Sequence, residues 1–135
     1  MSSRVSSTRN RRKPAGKPDL TGKRILVVED SPVVAPFTAD ILDELGCAVV
    51  GPAPNMAAAR ELIEGETLDG ALMDVHIRGE RIFPLCDMLE SRAVPFIMTS
   101  GYADWQIPEK LEKRPRLQKP YTMEQVEKAL VELLR

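Results

Sequence analysis

With 135 residues, the chain has room for one ordinary domain and too little for two. Its 43% hydrophobic content suits a soluble fold, and no apolar run approaches the roughly 18 residues of a membrane span. The net charge of −1 conceals an asymmetry: residues 1–19 hold Arg4, Arg9, Arg11, Arg12, Lys13 and Lys17 against Asp19, a net of +5, so the other 116 residues carry −6. The first 20 residues are basic and polar, with no apolar core for a secretory signal. Residues 1–21 are expected to be a disordered basic leader and 22–135 one folded domain. The leader reads first as a solvated segment and second as an arm for an acidic partner. It lacks aromatic residues to stack on bases, which weighs against nucleic acid.

Along the folded part, short apolar runs alternate with helical patterns. The first run, Arg24–Val28, ends in the acidic pair Glu29-Asp30. In 32–45 a stripe of Val34, Thr38, Ile41, Leu42 and Leu45 predicts a helix stopped by Gly46. A second strand follows at Ala48–Gly51. Asn55 then caps a helix over 55–64, with Ala58, Ala59, Leu62 and Ile63 inward. The third run, Gly70–Asp74, ends in a lone acid and precedes a helix over 81–90 built on Ile82, Leu85, Met88 and Leu89. The fourth, Pro95–Thr99, leads into Ser100. Segment 103–113, with Pro108 and few apolar residues, predicts at most a short, mobile helix. The fifth run, Arg116–Gln118, leads into Lys119-Pro120. Thr122 caps a last helix over 122–134, with Val126, Leu130, Leu133 and Leu134 inward. Cys47 and Cys86 fit no metal spacing and are expected to be reduced, buried thiols, as in the cytosol.

Short continuous apolar runs belong to strands covered on both faces. Their alternation with helices predicts an α/β fold, (βα)5 doubly wound, with a five-stranded parallel sheet. In such sheets ligands bind at the carboxyl ends of the strands. Glu29, Asp30, Asp74, Ser100 and Lys119 all fall there. Unit charges about 4 Å apart cost roughly 4 kcal/mol at an effective dielectric near 20. A hard divalent cation relieves that repulsion, and all-oxygen ligation beside a phosphate favours Mg²⁺. An ionised Asp74 can attack a phosphoryl group to give an acyl phosphate. The transferred group needs positive partners, which Mg²⁺ and Lys119 supply, while Ser100 can donate a hydrogen bond. Singly, Lys119 is a surface lysine, Ser100 a turn hydroxyl, His76 a solvated loop residue and Glu29-Asp30 a solvated pair. The constellation carries the chemistry. No second Asp stands two residues after Asp74, as a haloacid-dehalogenase phosphatase requires; His76 is there. No Gly-rich loop follows the first strand, which sets aside a P-loop or Rossmann site.

From Lys23 to Leu134 the chain resembles a response-regulator receiver domain of two-component signalling, on Glu29-Asp30, Asp74, Ser100-Gly101-Tyr102 and Lys119-Pro120. The resemblance implies a flavodoxin-like sheet in the order 2-1-3-4-5 and a cytoplasmic protein. Asp74 becomes the phosphoacceptor, taking phosphate from a histidine kinase or a histidine phosphotransfer protein. Asp30, Asp74 and the backbone carbonyl of His76 become Mg²⁺ ligands, with Glu29 acting through water. Ser100 becomes the switch hydroxyl and Lys119 the phosphate's counter-ion. The protein would be no enzyme beyond gaining and losing its own phosphoryl group.

Pro95-Phe96-Ile97-Met98-Thr99-Ser100-Gly101-Tyr102 is also similar to the PFxFATGY signature of receivers that accompany HWE-type histidine kinases, and Gly51-Pro52-Ala53 and Phe83-Pro84-Leu85 support it. The chain makes two departures from the usual patterns. Met98-Thr99-Ser100 replaces Phe-Ala-Thr of the signature, and Arg116 stands where most receivers carry an aromatic toggle. Tyr102 or segment 103–113 is then expected to carry the switch, following inward movement of Ser100. His76 and Tyr102, both bulky, are expected to slow phosphoryl hydrolysis. With nothing after Arg135 and a leader too short to fold, the chain is expected to be a single-domain regulator that signals by phosphorylation-dependent binding to an output protein. A phosphotransfer intermediate or phosphate sink is the alternative, and a phosphorylation-independent scaffold a third.

Overall fold

The computed structural model describes residues 19–101 and 107–135. The elements in chain order are β1 (Arg24–Val28), α1 (Val34–Glu44), β2 (Ala48–Ala53), α2 (Met56–Gly65) and β3 (Gly70–Asp74). Then come β4 (His76–Ile77), β5 (Glu80–Arg81), α3 (Phe83–Ser91), β6 (Phe96–Ser100), β7 (Arg116–Gln118) and α4 (Met123–Leu133). The five apolar runs form one parallel sheet in the order β2-β1-β3-β6-β7. With the β4–β5 hairpin set aside, that is the expected 2-1-3-4-5 order of the doubly wound fold. Register partners Val28↔Met73, Asp74↔Thr99 and Ser100↔Gln118 bring the carboxyl ends of four strands to one edge.

Alternation along the central strands feeds two cores. Leu26, Val28, Met73 and Met98 pack with Ala59 and Ile63 of α2 and Leu85 of α3. Ile25, Val27, Leu72 and Ile97 pack with Ile41 and Leu42 of α1 and Val126 and Leu130 of α4. Leu20, ahead of β1, is fully buried in this second core. Both cysteines are buried, as their apolar contexts imply; burial, with Glu90 and Asp87 adding to it, pushes the Cys86 thiol up to about 12.

The starts of α2 and α4 are fixed by short polar side chains. Asn55 Oδ1 accepts from the Ala58 N–H at 2.8 Å. Thr122 and Gln125 form a reciprocal capping box: the Gln125 N–H donates to Thr122 Oγ1 at 3.1 Å, and the Thr122 N–H to Gln125 Oε1 at 2.9 Å. Thr122→Ala is expected to cost about 1 kcal/mol in urea unfolding, because a first-turn N–H loses its partner.

The structure departs from the sequence expectation at three places. Strand β2 runs on to Ala53 through a cis Gly51-Pro52 bond, with an irregular register between Leu26 and Val28. Gly51 has φ of 96°, and a Cβ there would lie 2.7 Å from the Ala53 nitrogen, so no other residue fits. Helix α1 begins at Val34, not at 32, because Ser31 Oγ accepts from the Val33 and Val34 N–H groups and Pro32 stays outside. An antiparallel hairpin, β4–β5, stands between β3 and α3. In the 103–113 segment, 103–106 lie outside the described residues, and the rest holds a single 3-10 turn, Glu109–Leu111, pinned by the fully buried Leu111. No helix among the described residues is long and apolar enough to cross a membrane.

Candidate functional site

The carboxyl edge of the sheet gathers the acidic residues because each follows or ends a buried strand. Glu29 continues past β1, its N–H donating to the Ala53 carbonyl at 3.0 Å. Asp74 is the last residue of β3. Lys119 follows β7, and its N–H donates to the Ser100 carbonyl at 2.7 Å, so β6 and β7 together aim it across the edge. The Lys119 Nζ then donates to Asp74 Oδ2 at 2.8 Å and to Glu29 Oε1 at 3.0 Å. Glu29 is 3% exposed, and its other oxygen accepts from the Ser31 N–H at 3.1 Å.

Asp30 and Asp74 are held by main-chain donors from one segment. The His76 N–H donates to Asp74 Oδ1 at 3.2 Å, and the Arg78 N–H to Asp30 Oδ2 at 2.9 Å. One oxygen from each of Glu29, Asp30 and Asp74 lies within 4.8 Å of the others. Three carboxylates against one ammonium leave the cluster with excess negative charge. Burial pushes the Glu29 carboxyl above its ordinary value, opposed by the Ser31 amide and Lys119 and reinforced by the Asp74 charge. Burial works against the Lys119 ammonium too, but hydrogen bonds and charge from Asp74 and Glu29 outweigh it and hold its pKa above the usual lysine value. A hard divalent cation fits this all-oxygen donor set and its uncompensated charge.

Of the residues singled out by sequence, Glu29, Asp30, Asp74, His76 and Lys119 converge directly. Ser100 is 4% exposed at the end of β6, next to the equally buried Thr99, whose carbonyl accepts from the Val75 N–H at 2.9 Å. A Cβ on Gly101 would sit 3.9 Å from Lys119 Cε, so the Ser100-Gly101 step lies directly against the lysine. Arg116 is exposed at the start of β7, with a guanidinium nitrogen 3.3 Å from the Glu112 carbonyl. Tyr102 lies outside the described residues.

Three contributors escaped the sequence argument. Ser31 both caps α1 and holds Glu29; its place just after the acidic pair was the available signal. Arg78 acts through its main chain, for which only the Arg78-Gly79 turn pair gives a cue. Tyr121, two residues beyond Lys119, is 5% exposed and shares a 2.6 Å hydroxyl–hydroxyl bond with the buried Thr38 of α1. No local pattern announces that pair, 83 residues apart.

Fold and acidic edge together define a doubly wound α/β domain with three carboxylates gathered at the carboxyl ends of its strands. The sequence matches the response regulator receiver domain over residues 25–131, and the chain belongs to that family. It is similar to SdrG from Sphingomonas melonis Fr1, whose solution structure is 37% identical, with a TM-score of 0.77 over 84% of this chain and 98% of that one. The BeF3-activated conformation of SdrG from Pseudomonas melonis Fr1 is 36% identical, with a TM-score of 0.73 over 85% of this chain and 98% of that one. The receiver domain of the sensor histidine kinase PA1611 from Pseudomonas aeruginosa PAO1, solved with magnesium in its active-site cleft, shares the fold. It is 23% identical, with a TM-score of 0.70 over 84% of this chain and 98% of that one. No curated protein matches the chain in sequence. The receiver resemblance and the doubly wound fold expected from sequence are thus borne out.

Proposed function

We propose that this receiver is a phosphorylation-controlled binding switch of the cytoplasm. Asp74 attacks the phosphorus of a phosphohistidine on a histidine kinase of the HWE type, to which the similarity of residues 95–102 to the PFxFATGY signature points, or on a phosphotransfer protein. The phosphorus–nitrogen bond breaks, an acyl phosphate forms on Asp74, and the histidine leaves with a proton. Mg²⁺ would be held by Asp30, Asp74 and the His76 carbonyl, with Glu29 beside it, and would neutralise charge on the phosphoryl oxygens. The phosphorylated form is then recognised by an output protein, and the chain turns over no other substrate.

One observation carries this function: Lys119 Nζ sits 2.8 Å from Asp74 Oδ2 while also bonded to Glu29. A structural ion pair needs one carboxylate; here the lysine holds two, beside a third, at the strand edge where ligands bind. On phosphorylation the same ammonium can pass to a phosphoryl oxygen, and Ser100 can follow it.

Intact mass after incubation with acetyl phosphate and Mg²⁺ tests the chemistry. The expected result is a gain of one phosphoryl group that requires Mg²⁺ and disappears in Asp74→Asn. Slow decay fits the binding switch; fast or reversible loss to the donor identifies a relay. Failure with both acetyl phosphate and a phosphohistidine donor overturns phosphoryl acceptance and leaves the scaffold.

A further inference from the structure

The β4–β5 hairpin has no place in the alternation of strands and helices, and its size is notable. Two residues pair with two, His76↔Arg81 and Ile77↔Glu80, around the two-residue loop Arg78-Gly79. Both loop residues have positive φ, 53° at Arg78 and 80° at Gly79, the pattern of a type I′ turn. The hairpin is fastened at its base: Ile77 and Ile82 are fully buried, the Ile82 N–H donates to the Val75 carbonyl at 3.0 Å, and the Arg81 guanidinium lies 5.7 Å from the centre of the Phe83 ring. At its tip the Arg78 side chain reaches the Pro54 carbonyl through Nε at 3.3 Å.

The same five residues that run from β3 into this turn supply main-chain donors to two carboxylates. His76 N–H engages Asp74 Oδ1, and Arg78 N–H engages Asp30 Oδ2. Asp30 itself is only half-buried and stands in a loop, where a carboxylate would otherwise rotate freely. An N–H on one oxygen fixes the plane of the group and leaves the other oxygen for a cation. Loss of a group that orients a metal ligand typically costs roughly 10- to 100-fold in metal affinity or activity.

We propose that the Arg78-Gly79 turn is a positioning element for the cation site: its main-chain N–H presets the Asp30 carboxylate for Mg²⁺, and the turn's left-handed conformation holds that N–H in place. This inference rests on the Mg²⁺ chemistry proposed above. It assigns the role to the main chain and not to the Arg78 guanidinium.

Two variants separate the possibilities. Gly79→Val places its Cβ in open space, with nothing beyond its chain neighbours within 4 Å, but a β-branched residue at φ of 80° opposes the turn. Arg78→Asn removes the guanidinium and creates the residue pair that favours type I′ turns most. MgCl₂ is titrated into each full-length protein while amide chemical shifts are followed. Gly79→Val is expected to bind Mg²⁺ roughly three- to tenfold more weakly, at or below the low end for groups that orient metal ligands. Arg78→Asn is expected to bind as the wild type does. Equal affinity in Gly79→Val overturns the proposal, and so does equal weakening in both variants, which would credit the arginine side chain. Amide shifts altered well beyond residues 74–82 in metal-free Gly79→Val would mark a general structural defect and also sink it. A wild type that shows no response to Mg²⁺ removes the proposed function with it, whereas a responsive wild type and an indifferent Gly79→Val remove this inference alone.

Discussion

Replacing Lys119 with Met is expected to lower folding stability at neutral pH by about 3 kcal/mol, the scale seen when one partner of a buried ion pair is removed. The lysine side chain is only 15% exposed, and it neutralises Glu29 at 3% and Asp74 at 12%. Without it, two desolvated carboxylates face each other, with Asp30 adjacent and only the Ser31 and His76 amides to answer them. The variant has a characteristic pH dependence. Glu29 already has a folded-state pKa above its model-compound value of 4.5, so the folded state takes up its proton more readily than the unfolded chain. Such a group favours folding most below 4.5, and that contribution is lost as pH rises through the folded pKa. Loss of the ammonium raises Glu29 further. The gap between wild type and Lys119→Met should therefore narrow as pH falls from 7 toward 4.5. Urea unfolding of both proteins at several pH values measures it. Millimolar Mg²⁺ should also restore part of the loss, since the cation replaces the missing charge. A gap independent of pH and Mg²⁺ would mean that Lys119 acts through packing alone.

Tyr121→Ala is the second large effect, about 4 kcal/mol, because it empties a ring-sized volume in the core between α1 and α4. Tyr121 is 5% exposed, its ring centre lies 6.3 Å from that of Phe37, and its hydroxyl is the partner of Thr38. Tyr121→Phe keeps the ring and removes only the hydroxyl bond, so it should cost about 1 kcal/mol. The ratio of the two losses in chemical unfolding is the measurement. Near-equal losses would transfer the importance of Tyr121 from its ring to its hydroxyl. Tyr121 stands two residues from Lys119, so Tyr121→Ala should also broaden the amide signals of 119–122, where the lysine takes its aim.

The sheet was legible because its central strands are buried on both faces. Runs such as Ile25–Val28 and Ala71–Met73 carry no polar residue, and their shortness between helical patterns reads as central parallel strands. Asn55 and Thr122 were legible because capping is local. The hairpin at 76–81 was not, since two-residue strands lie below the length at which alternation can be recognised. The extension of β2 was hidden by Gly51-Pro52, which reads as an end. At the site, sequence alone gives the residue types and the strand ends, hence Glu29, Asp30, Asp74, Ser100 and Lys119. It could not say that Glu29 is the carboxylate sealed against Lys119 while Asp30 turns to the hairpin. Adjacent residues point to opposite sides, and which side is sealed depends on elements 48 and 90 residues away. The main-chain donors of Ser31, His76 and Arg78 carry no side-chain signature at all.

Both flanks of the sheet are poor templates for another chain. On one side β2 contains Pro52, which has no N–H to offer, beside an irregular register. On the other β7 is three residues long and opens on the exposed Arg116. Short, charged or proline-bearing borders of this kind resist ribbon-to-ribbon growth. Whatever recognises this chain is therefore expected to grip helices and loops, and the sheet remains a closed frame that is not itself extended.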